Sequence, residues 1–341
     1  MVEIDGTMGE GGGQVLRSSL TLSLLTGQPV EFFQIRAKRD KPGLGFQHLM
    51  AVQAAARISR AHVEGDRIGS QRLSFTPGRI LPGDYHFDIG TAGATALVLQ
   101  TILLPLALAK APSRVTVTGG THVPRSPCFH YLDWQWRAFL TRLGLNVELY
   151  MEMAGFFPEG GGAVRAVLPG GACMRGLQLR ERGELQRVRG VSAVANLAEE
   201  IGERQRARAL RRLRELGCDV RITSEALPAN SRGTALVLLA EFAHSQACFV
   251  ALGARGKRAE QVADEAADEL LNFLATDGAV DRWLADQLLL PLAFAGQPSM
   301  LRTSEVTTHL LTNADVIRQF LPTRIVIDGL VGEPGTLQVI P

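Results

Sequence analysis

Leu20-Thr21-Leu22-Ser23-Leu24-Leu25-Thr26-Gly27-Gln28-Pro29 returns twice in altered form. The copies are Leu103-Leu104-Pro105-Leu106-Ala107-Leu108-Ala109-Lys110-Ala111-Pro112 and Leu289-Leu290-Pro291-Leu292-Ala293-Phe294-Ala295-Gly296-Gln297-Pro298. Each reads as an apolar helix that ends at a small residue or Lys and is stopped by proline. A strand candidate follows each time, Val30 to Ile35, Arg114 to Val117 and Met300 to Thr303. Then come a loop and a second helix, Phe46 to Ile58, Phe129 to Leu143 and His309 to Phe320. Two further strand candidates close each unit, as Arg324 to Ile327 and Thr336 to Ile340 do in the last. The unit is therefore βαβαββ, and it occurs three times. Three such units are too few and too long for a solenoid, so an α/β (α+β) fold with packed sheets and helices is expected.

The spacing of the repeats is uneven. Pro29 and Pro112 stand 83 positions apart, whereas Pro112 and Pro298 stand 186 apart. The excess of about 100 residues suffices for a small domain. It falls inside the third unit, between Leu177-Gln178-Leu179 and Val280. The intervening sequence offers strands at Val188 to Ala195, Asp219 to Thr223, Thr234 to Ala240 and Ala247 to Ala251. It also offers a basic helix at Ala198 to Leu216 and a helix with an acidic face at Glu260 to Ala275. The expected organisation is a large domain, 1–181 plus 278–341, with an inserted α/β domain at 182–277.

The 341 residues are 46% hydrophobic and 21% charged, with a formal net charge of +2. Such a chain is an ordinary globular protein, and any polyanion site must come from local clustering. Cys128, Cys173, Cys218 and Cys248 form no C-x-x-C pair, and their spacings do not indicate zinc; reduced thiols in a cytosolic protein are expected. The chain enters a strand-like Val2-Glu3-Ile4-Asp5 directly, which predicts no signal peptide. The most apolar run, Ala96 to Ala109, is too short to span a bilayer and contains Pro105. A cytoplasmic protein with no membrane partner is expected.

The chemistry-bearing residues lie in loops that lead into helices. Gly9-Glu10-Gly11-Gly12-Gly13-Gln14 brings backbone N–H groups close together before a helix start, as phosphate binding requires. The same glycines also suit a plain strand–helix turn. Glu10 would repel phosphate there unless a divalent cation bridged the two. Arg17, one turn beyond Gln14, could clamp phosphate. The stretch from Ile35 to His48 packs Arg36, Lys38, Arg39 and Lys41 before a Pro-Gly loop and a helix bearing Gln47 and His48. If Ile35 to Ala37 continues the strand, the loop presents Arg39 and Lys41. That suits a nucleic-acid terminus better than a long duplex, although a solvated basic turn reads alike. His309 follows two candidate caps, Thr307 and Thr308. In a first helical turn its imidazolium form is disfavoured, which suits a nucleophile, though a packing role is equally compatible. Trp283-Leu284-Ala285-Asp286-Gln287 opens another helix. It reads either as a core aromatic or as a base-stacking residue with polar groups one turn on.

Taken in order, several motifs resemble the RNA 3′-terminal phosphate cyclase family. They are Gly9 to Ser18, Arg36 to His48, Gly69 to Leu73, Leu97 to Thr101, Phe157-Pro158 with Gly160-Gly161-Gly162, Leu284 to Gln287, and His309-Leu310-Leu311-Thr312-Asn313. The resemblance covers nearly the whole chain, with the insert only loosely alike. It implies three βαβαββ units, shared with the enolpyruvyl transferases, and a smaller inserted domain. It implies that RNA 3′-phosphate ends are converted to 2′,3′-cyclic phosphodiesters with ATP and Mg²⁺ or Mn²⁺, through AMP carried on a histidine. His309 would be the nucleophile and Glu10 the metal ligand. Gln14, Arg17, Gln100 and the Leu284-Ala285-Asp286-Gln287 segment would contact the nucleotide, with Trp283 and Pro127 sandwiching adenine. Arg36, Arg39, Lys41, Gln47 and His48 would serve phosphates of the RNA end. Trp stands at 283 where the family has Tyr, and Thr121 to His130, with His122, Arg125 and Cys128, departs from the family pattern. The resemblance leaves open DNA 3′-phosphate as a substrate and a homodimer as the assembly. Two rival readings are an enolpyruvyl-transferase-like enzyme and a non-catalytic RNA-binding assembly factor; His309 disfavours both.

Overall fold

The computed structural model describes residues 1–341. Four four-stranded sheets are present, and three share one pattern. The first joins β1 (Val2–Asp5), β2 (Val30–Phe33), β3 (His62–Glu64) and β4 (Leu73–Thr76), with helices α1 (Gly13–Thr26) and α2 (Phe46–Ser59) between strands. The second joins β5 (Asp84–Asp88), β6 (Ser113–Gly119), β7 (Glu148–Met153) and β8 (Gly162–Leu168). Its helices are α3 (Thr95–Leu108), α4 (Phe129–Tyr131) and α5 (Arg137–Arg142), the last two fused by a π-helical turn, Leu132–Trp136. In each sheet the first two strands are parallel, and the last-but-one strand lies at the edge. The second helix of this unit, expected as one stretch, is thus interrupted by a π turn that begins four residues after Cys128.

The third sheet is assembled across the chain. The short β9 (Gln178–Leu179) pairs in parallel with β14 (Ser299–Thr303), which joins β15 (Arg324–Asp328) and β16 (Gly335–Ile340). Between β9 and β14 runs the fourth sheet, made of β10 (Leu185–Ala195), β11 (Asp219–Ala226), β12 (Gly233–Phe242) and β13 (Gln246–Leu252). Its helices are α6 (Glu199–Leu213) and α7 (Ala259–Leu274); α8 (Arg282–Ala293) and α9 (Thr308–Phe320) then flank β14.

Helix α3 is apolar on all sides, and the structure buries it on all sides. It joins α1 and α8 in a core that spans the first three sheets. Helix α1 touches α2, α3 and α9, so its N-terminus lies beside that of α9. The helix ends at Gly27, a left-handed residue (φ 73°) whose N–H returns to Ser23 O, and Pro29 bars further turns.

The near-continuous apolar run of β12 has a different cause. Leu236, Leu238 and Ala240 face α6 and α7, while Ala235, Val237 and Leu239 pack on Cys128, Tyr131, Ala154 and Phe156 of the second unit. A strand buried on both faces loses the polar alternation of a half-exposed one. The basic helix α6 and the acidic face of α7 lie side by side in register. Arg204 pairs with Glu260 at 2.8 Å, Arg208 with Asp264 at 2.8 Å, and Arg212 with Asp268 at 2.5 Å. The chain enters and leaves this sheet at one point. There Arg182 donates to Phe273 O, Leu274 O and Gly278 O, satisfying the last carbonyls of α7. No helix is long and apolar enough to cross a membrane.

Candidate active site

The glycine loop runs from β1 to α1 and is held against two other elements. Gly9 is left-handed (φ 55°), and a Cβ there would lie 2.0 Å from Thr312 Oγ1 on α9. Gly13 opens α1 beneath His48 and Arg17; a Cβ would meet His48 Nε2 at 2.4 Å. Only glycine lets the loop come this close, and the approach brings Glu10 to His309. Glu10 Oε2 is 3.5 Å from His309 Nε2 and 3.9 Å from Arg39 Nη2.

The basic stretch folds over this loop. Strand β2 ends at Phe33, and Gln34 and Arg36 take left-handed conformations (φ 54° and 52°). The chain does not continue as a strand through Ala37 but turns there. Arg36 Nη1 donates to Gly43 O at 2.7 Å, and Gly43 N donates back to Ile35 O, so the segment closes on itself. Lys38 Nζ donates to Thr7 O at 2.8 Å, while Arg39 and Lys41 remain exposed. Arg17 is half-buried. Burial pushes its pKa down to about 10 against the pull of Asp286, which leaves it cationic at neutral pH.

Three helices meet at His309. Thr307 caps α9, its Oγ1 accepting from Leu310 N, which puts His309 in the first turn. His309 Nδ1 lies 2.8 Å from Gln14 Oε1. Gln14 Nε2 in turn donates to Asp286 Oδ1 at 2.5 Å. An ionised Asp286 carboxylate only accepts, and with it in that form the amide nitrogen of Gln14 faces Asp286 and its oxygen faces His309. Nδ1 of His309 therefore carries the proton, and Nε2 is left with its lone pair beside Glu10. The 3.5 Å from Nε2 to Glu10 is too long for a strong hydrogen bond. Asn313 Nδ2 donates to Asp286 Oδ1 at 3.0 Å and to Asp286 O at 3.1 Å, and Ser18 Oγ donates to Asn313 Oδ1 at 2.8 Å. Burial raises the Asp286 pKa, while His309, Asn313, Gln14 and Arg17 oppose the rise. Gln100 Nε2 donates to Gln287 Oε1 at 2.7 Å, tying α3 to α8.

Behind these groups lies a cavity of about 100 Å³, lined by Gln14, Arg17, Gln100, Asp286, Gln287 and Trp136 among others. It is too small for a nucleotide and has room for a few waters. On the outer side, Glu10 and His309 are both partly exposed to solvent. Trp283 is 46% exposed, with the Arg282 guanidinium 4.7 Å from its ring centroid, so it is a surface aromatic and not a core one. Pro127 is half-buried, immediately before buried Cys128.

Four of the residues expected at the site have packing or capping roles in the fold. Leu284 and Ala285 are fully buried in the core, so they anchor α8 and offer no side chain to a ligand. His48 is also buried. Its Nδ1 accepts from Gly45 N at 3.3 Å, closing the start of α2, and burial, Arg17 and Arg36 push its pKa down to about 3. The neutral ring lies under the glycine loop with its Nε2 towards Gly13. Gln47 Oε1 accepts from Ala94 N at 3.0 Å, so it ties α2 to the start of α3.

Two groups that shape the site went unassigned in the sequence. Asp281 caps α8, accepting from Trp283 N and Leu284 N, and also from Tyr131 Oη and Gln135 Nε2. It is 1% exposed, and burial lifts its pKa to about 6. An Asp just before an apolar helix is a cap signal, and it could have been read. The Asn313–Asp286 link joins residues 27 positions apart and leaves no such signal.

The family model for RNA 3′-terminal phosphate cyclase matches residues 8–327. The chain is 47% identical over 327 residues to the RNA 3′-terminal phosphate cyclase of Nostoc punctiforme, covering 94% of each chain. The Methylococcus capsulatus cyclase is 44% identical over 344 residues, covering 98% of this chain and 95% of that one. The Ralstonia nicotianae cyclase is 46% identical over 327 residues, covering 96% and 93%. The solved enolpyruvyl transferase NikO of Streptomyces tendae aligns with 100% of this chain and 66% of its own, at a TM-score of 0.27 and 9% identity, too slight a likeness to bear on fold or function. Matching along nearly its whole length, the chain belongs to the RNA 3′-terminal phosphate cyclase family.

Proposed function

We propose that this protein converts RNA 3′-terminal phosphates to 2′,3′-cyclic phosphodiesters, with ATP as co-substrate and AMP carried on His309. The observation that carries the mechanism is the Asp286–Gln14–His309 chain, which leaves Nε2 as the free nitrogen. In the first step the Nε2 lone pair attacks the α-phosphorus of ATP. The bond from that phosphorus to the bridging oxygen breaks, pyrophosphate leaves, and a P–N bond forms. In the second, an oxygen of the RNA 3′-phosphate attacks the same phosphorus and the imidazole leaves with its electron pair. In the third, the neighbouring 2′-OH attacks the 3′-phosphorus, loses its proton to solvent, and AMP departs.

The protein's share is positioning and charge. As the adenylyl group builds positive charge on the ring, Nδ1–H stays directed at Gln14 Oε1 and the charge is felt by Asp286 through that amide. The N-termini of α1 and α9 add positive potential on the side where phosphates would lie. Arg17 and Arg39 would take phosphate oxygens, and Trp283 offers a face for adenine. Glu10 offers one hard carboxylate oxygen in an open position, which fits Mg²⁺ or Mn²⁺ sharing its shell with water and substrate phosphates. Such an ion would offset the repulsion between Glu10 and phosphate.

The test is incubation with Mg²⁺ and ATP radiolabelled at the α-phosphate, followed by denaturing electrophoresis, beside His309→Ala. An acid-labile, base-stable label on the wild type alone, discharged by RNA 3′-phosphate, is expected. Absence of label in both proteins, with ATP binding established, would remove the mechanism.

A further inference from the structure

Beyond the end of β6, residues 121–130 bring three side chains together that the proposed reaction does not use. We propose that His122, Cys128 and His130 form a binding site for one Zn²⁺-class ion at the seam between the second sheet and the fourth. One donor atom from each residue lies within 4.8 Å of the other two. His122 Nε2 and His130 Nδ1 are 3.0 Å apart. A tetrahedral ion with bonds of about 2.0–2.3 Å holds its ligand atoms roughly 3.3–3.8 Å apart, so the widest pair needs to close by about 1 Å.

The surroundings are those of a built site. The three residues are 1%, 2% and 6% exposed. The outer nitrogen of His122, Nδ1, meets Thr121 Oγ1 at 2.8 Å, and that hydroxyl oxygen accepts from Gly155 N at 2.9 Å. Ligating histidines are commonly oriented by such a bond at the other ring nitrogen. Backbone N–H groups of His130 and Tyr131 point at the Cys128 sulfur. A hydrogen-bonded histidine pair would account for the 3.0 Å contact, but not for a thiol placed against both rings.

On binding, Cys128 releases one proton to solvent, and the ring proton that lay between His122 Nε2 and His130 Nδ1 moves by way of solvent to the outer nitrogen of its own ring. Two nitrogens and a sulfur select Zn²⁺ over Mg²⁺, so this site differs in chemistry from Glu10. Its ligands bracket Arg125 and Pro127. The ion would clip that loop to the seam where Cys128 packs against Val191, Ala193 and Val237.

Co²⁺ is the probe. The full chain is stripped with chelator and titrated with Co²⁺, then with Zn²⁺. The expected result is a sulfur-to-metal charge-transfer band that saturates at one equivalent and is abolished by one equivalent of Zn²⁺. The band should vanish in Cys128→Ser and survive in Cys173→Ser, whose thiol is exposed. A Co²⁺ ion on Glu10 has no sulfur ligand and gives no such band. Should Cys128→Ser fail to fold, His130→Asn and the wild-type titration decide alone. No charge-transfer band at saturating Co²⁺, or an unchanged band in Cys128→Ser or His130→Asn, overturns the proposal.

Discussion

Replacing Gln14 by methionine keeps the length of the side chain and removes both of its polar contacts. The bond to His309 joins neutral groups at 2.8 Å. Such a bond contributes about 1 kcal/mol net, which is about fivefold in the population of correctly protonated ring. The bond to Asp286 acts at one remove, because it decides which end of the amide faces His309. With the lock gone, the ring is free to carry its proton on Nε2 and to turn about its own side-chain bonds. Misplacement of a reacting atom by about 1 Å can cost about a hundredfold. The expected loss is therefore about 10- to 100-fold in the single-turnover rate of AMP transfer to His309.

The rate is measured at saturating ATP, so that weaker binding does not contribute. Nitrogen-15 NMR of the imidazole supplies the second readout. The wild type should show the proton on Nδ1, and the variant should show a mixture weighted to Nε2. A purely structural role for Gln14 would lower stability but would not move the proton. A labelling rate within a factor of two of wild type, or a His309 that keeps its Nδ1 proton in the variant, refutes the reasoning.

Gly9→Ala puts a Cβ about where Thr312 Oγ1 now sits, at a left-handed backbone position. We expect a loss of about 1–3 kcal/mol in urea unfolding and slower labelling, as Glu10 is levered from His309; wild-type stability would show that the loop does not pack on α9. His48 has a folded pKa near 3 against 6.5 unfolded, so the unfolded chain takes the proton first. Its contribution to stability is whole above pH 6.5 and lost as pH falls toward 3, by about 5 kcal/mol at most. His48→Asn keeps an acceptor for Gly45 N and should flatten the acid limb of the stability–pH curve; an unchanged limb counts against it. Arg208→Ala removes one rung between α6 and α7. It should lower Tm by about 1–2 °C and leave labelling unchanged, and a loss of labelling would mean that the fourth sheet helps to shape the site.

Local signals carried most of the architecture. Helices α1, α3 and α8 were legible because proline and small residues punctuate long apolar runs. The glycines before α1 and the capping threonine before His309 marked where helix N-termini would expose their amides. What local pattern could not show is which ends meet. Gln14, Asp286 and His309 are far apart in sequence, and only the packing of α1 and α8 on α9 makes their contacts a chain. The same limit explains Leu284 and Ala285, which share a motif with Asp286 but turn to the core because α8 buries that face. The strand candidate Val30 to Ile35 stops at Phe33, where Gln34 and Arg36 turn left-handed and Arg36 donates to Gly43 O, a side-chain contact that propensity does not see. The cysteine spacings gave no hint of the cluster at Cys128, because two of its three donors are histidines on either side.

The distribution of spent and unspent charge bears on the proposed site for an RNA end. The chain's net charge is only +2, and α6 is its most basic helix. Yet Arg204, Arg208 and Arg212 are each neutralised by a carboxylate of α7 in matching register. That face cannot track a phosphate backbone without breaking its own ion pairs, and it offers no counterion release. Arg17 and Arg39 are different, since Arg17 lies against Gly13 at the start of α1 and Arg39 reaches Glu10, which in turn lies beside His309. A short cationic corner beside a directed imidazole suits one phosphate at a chain end and not a duplex. An assembly factor that only held RNA would gain from the opposite arrangement, a broad free basic face, and would have no use for a half-buried Asp286 whose pKa is raised by its own burial. That carboxylate is costly to keep there. What it does at the site is fix an amide and, through it, a proton on the far side of His309.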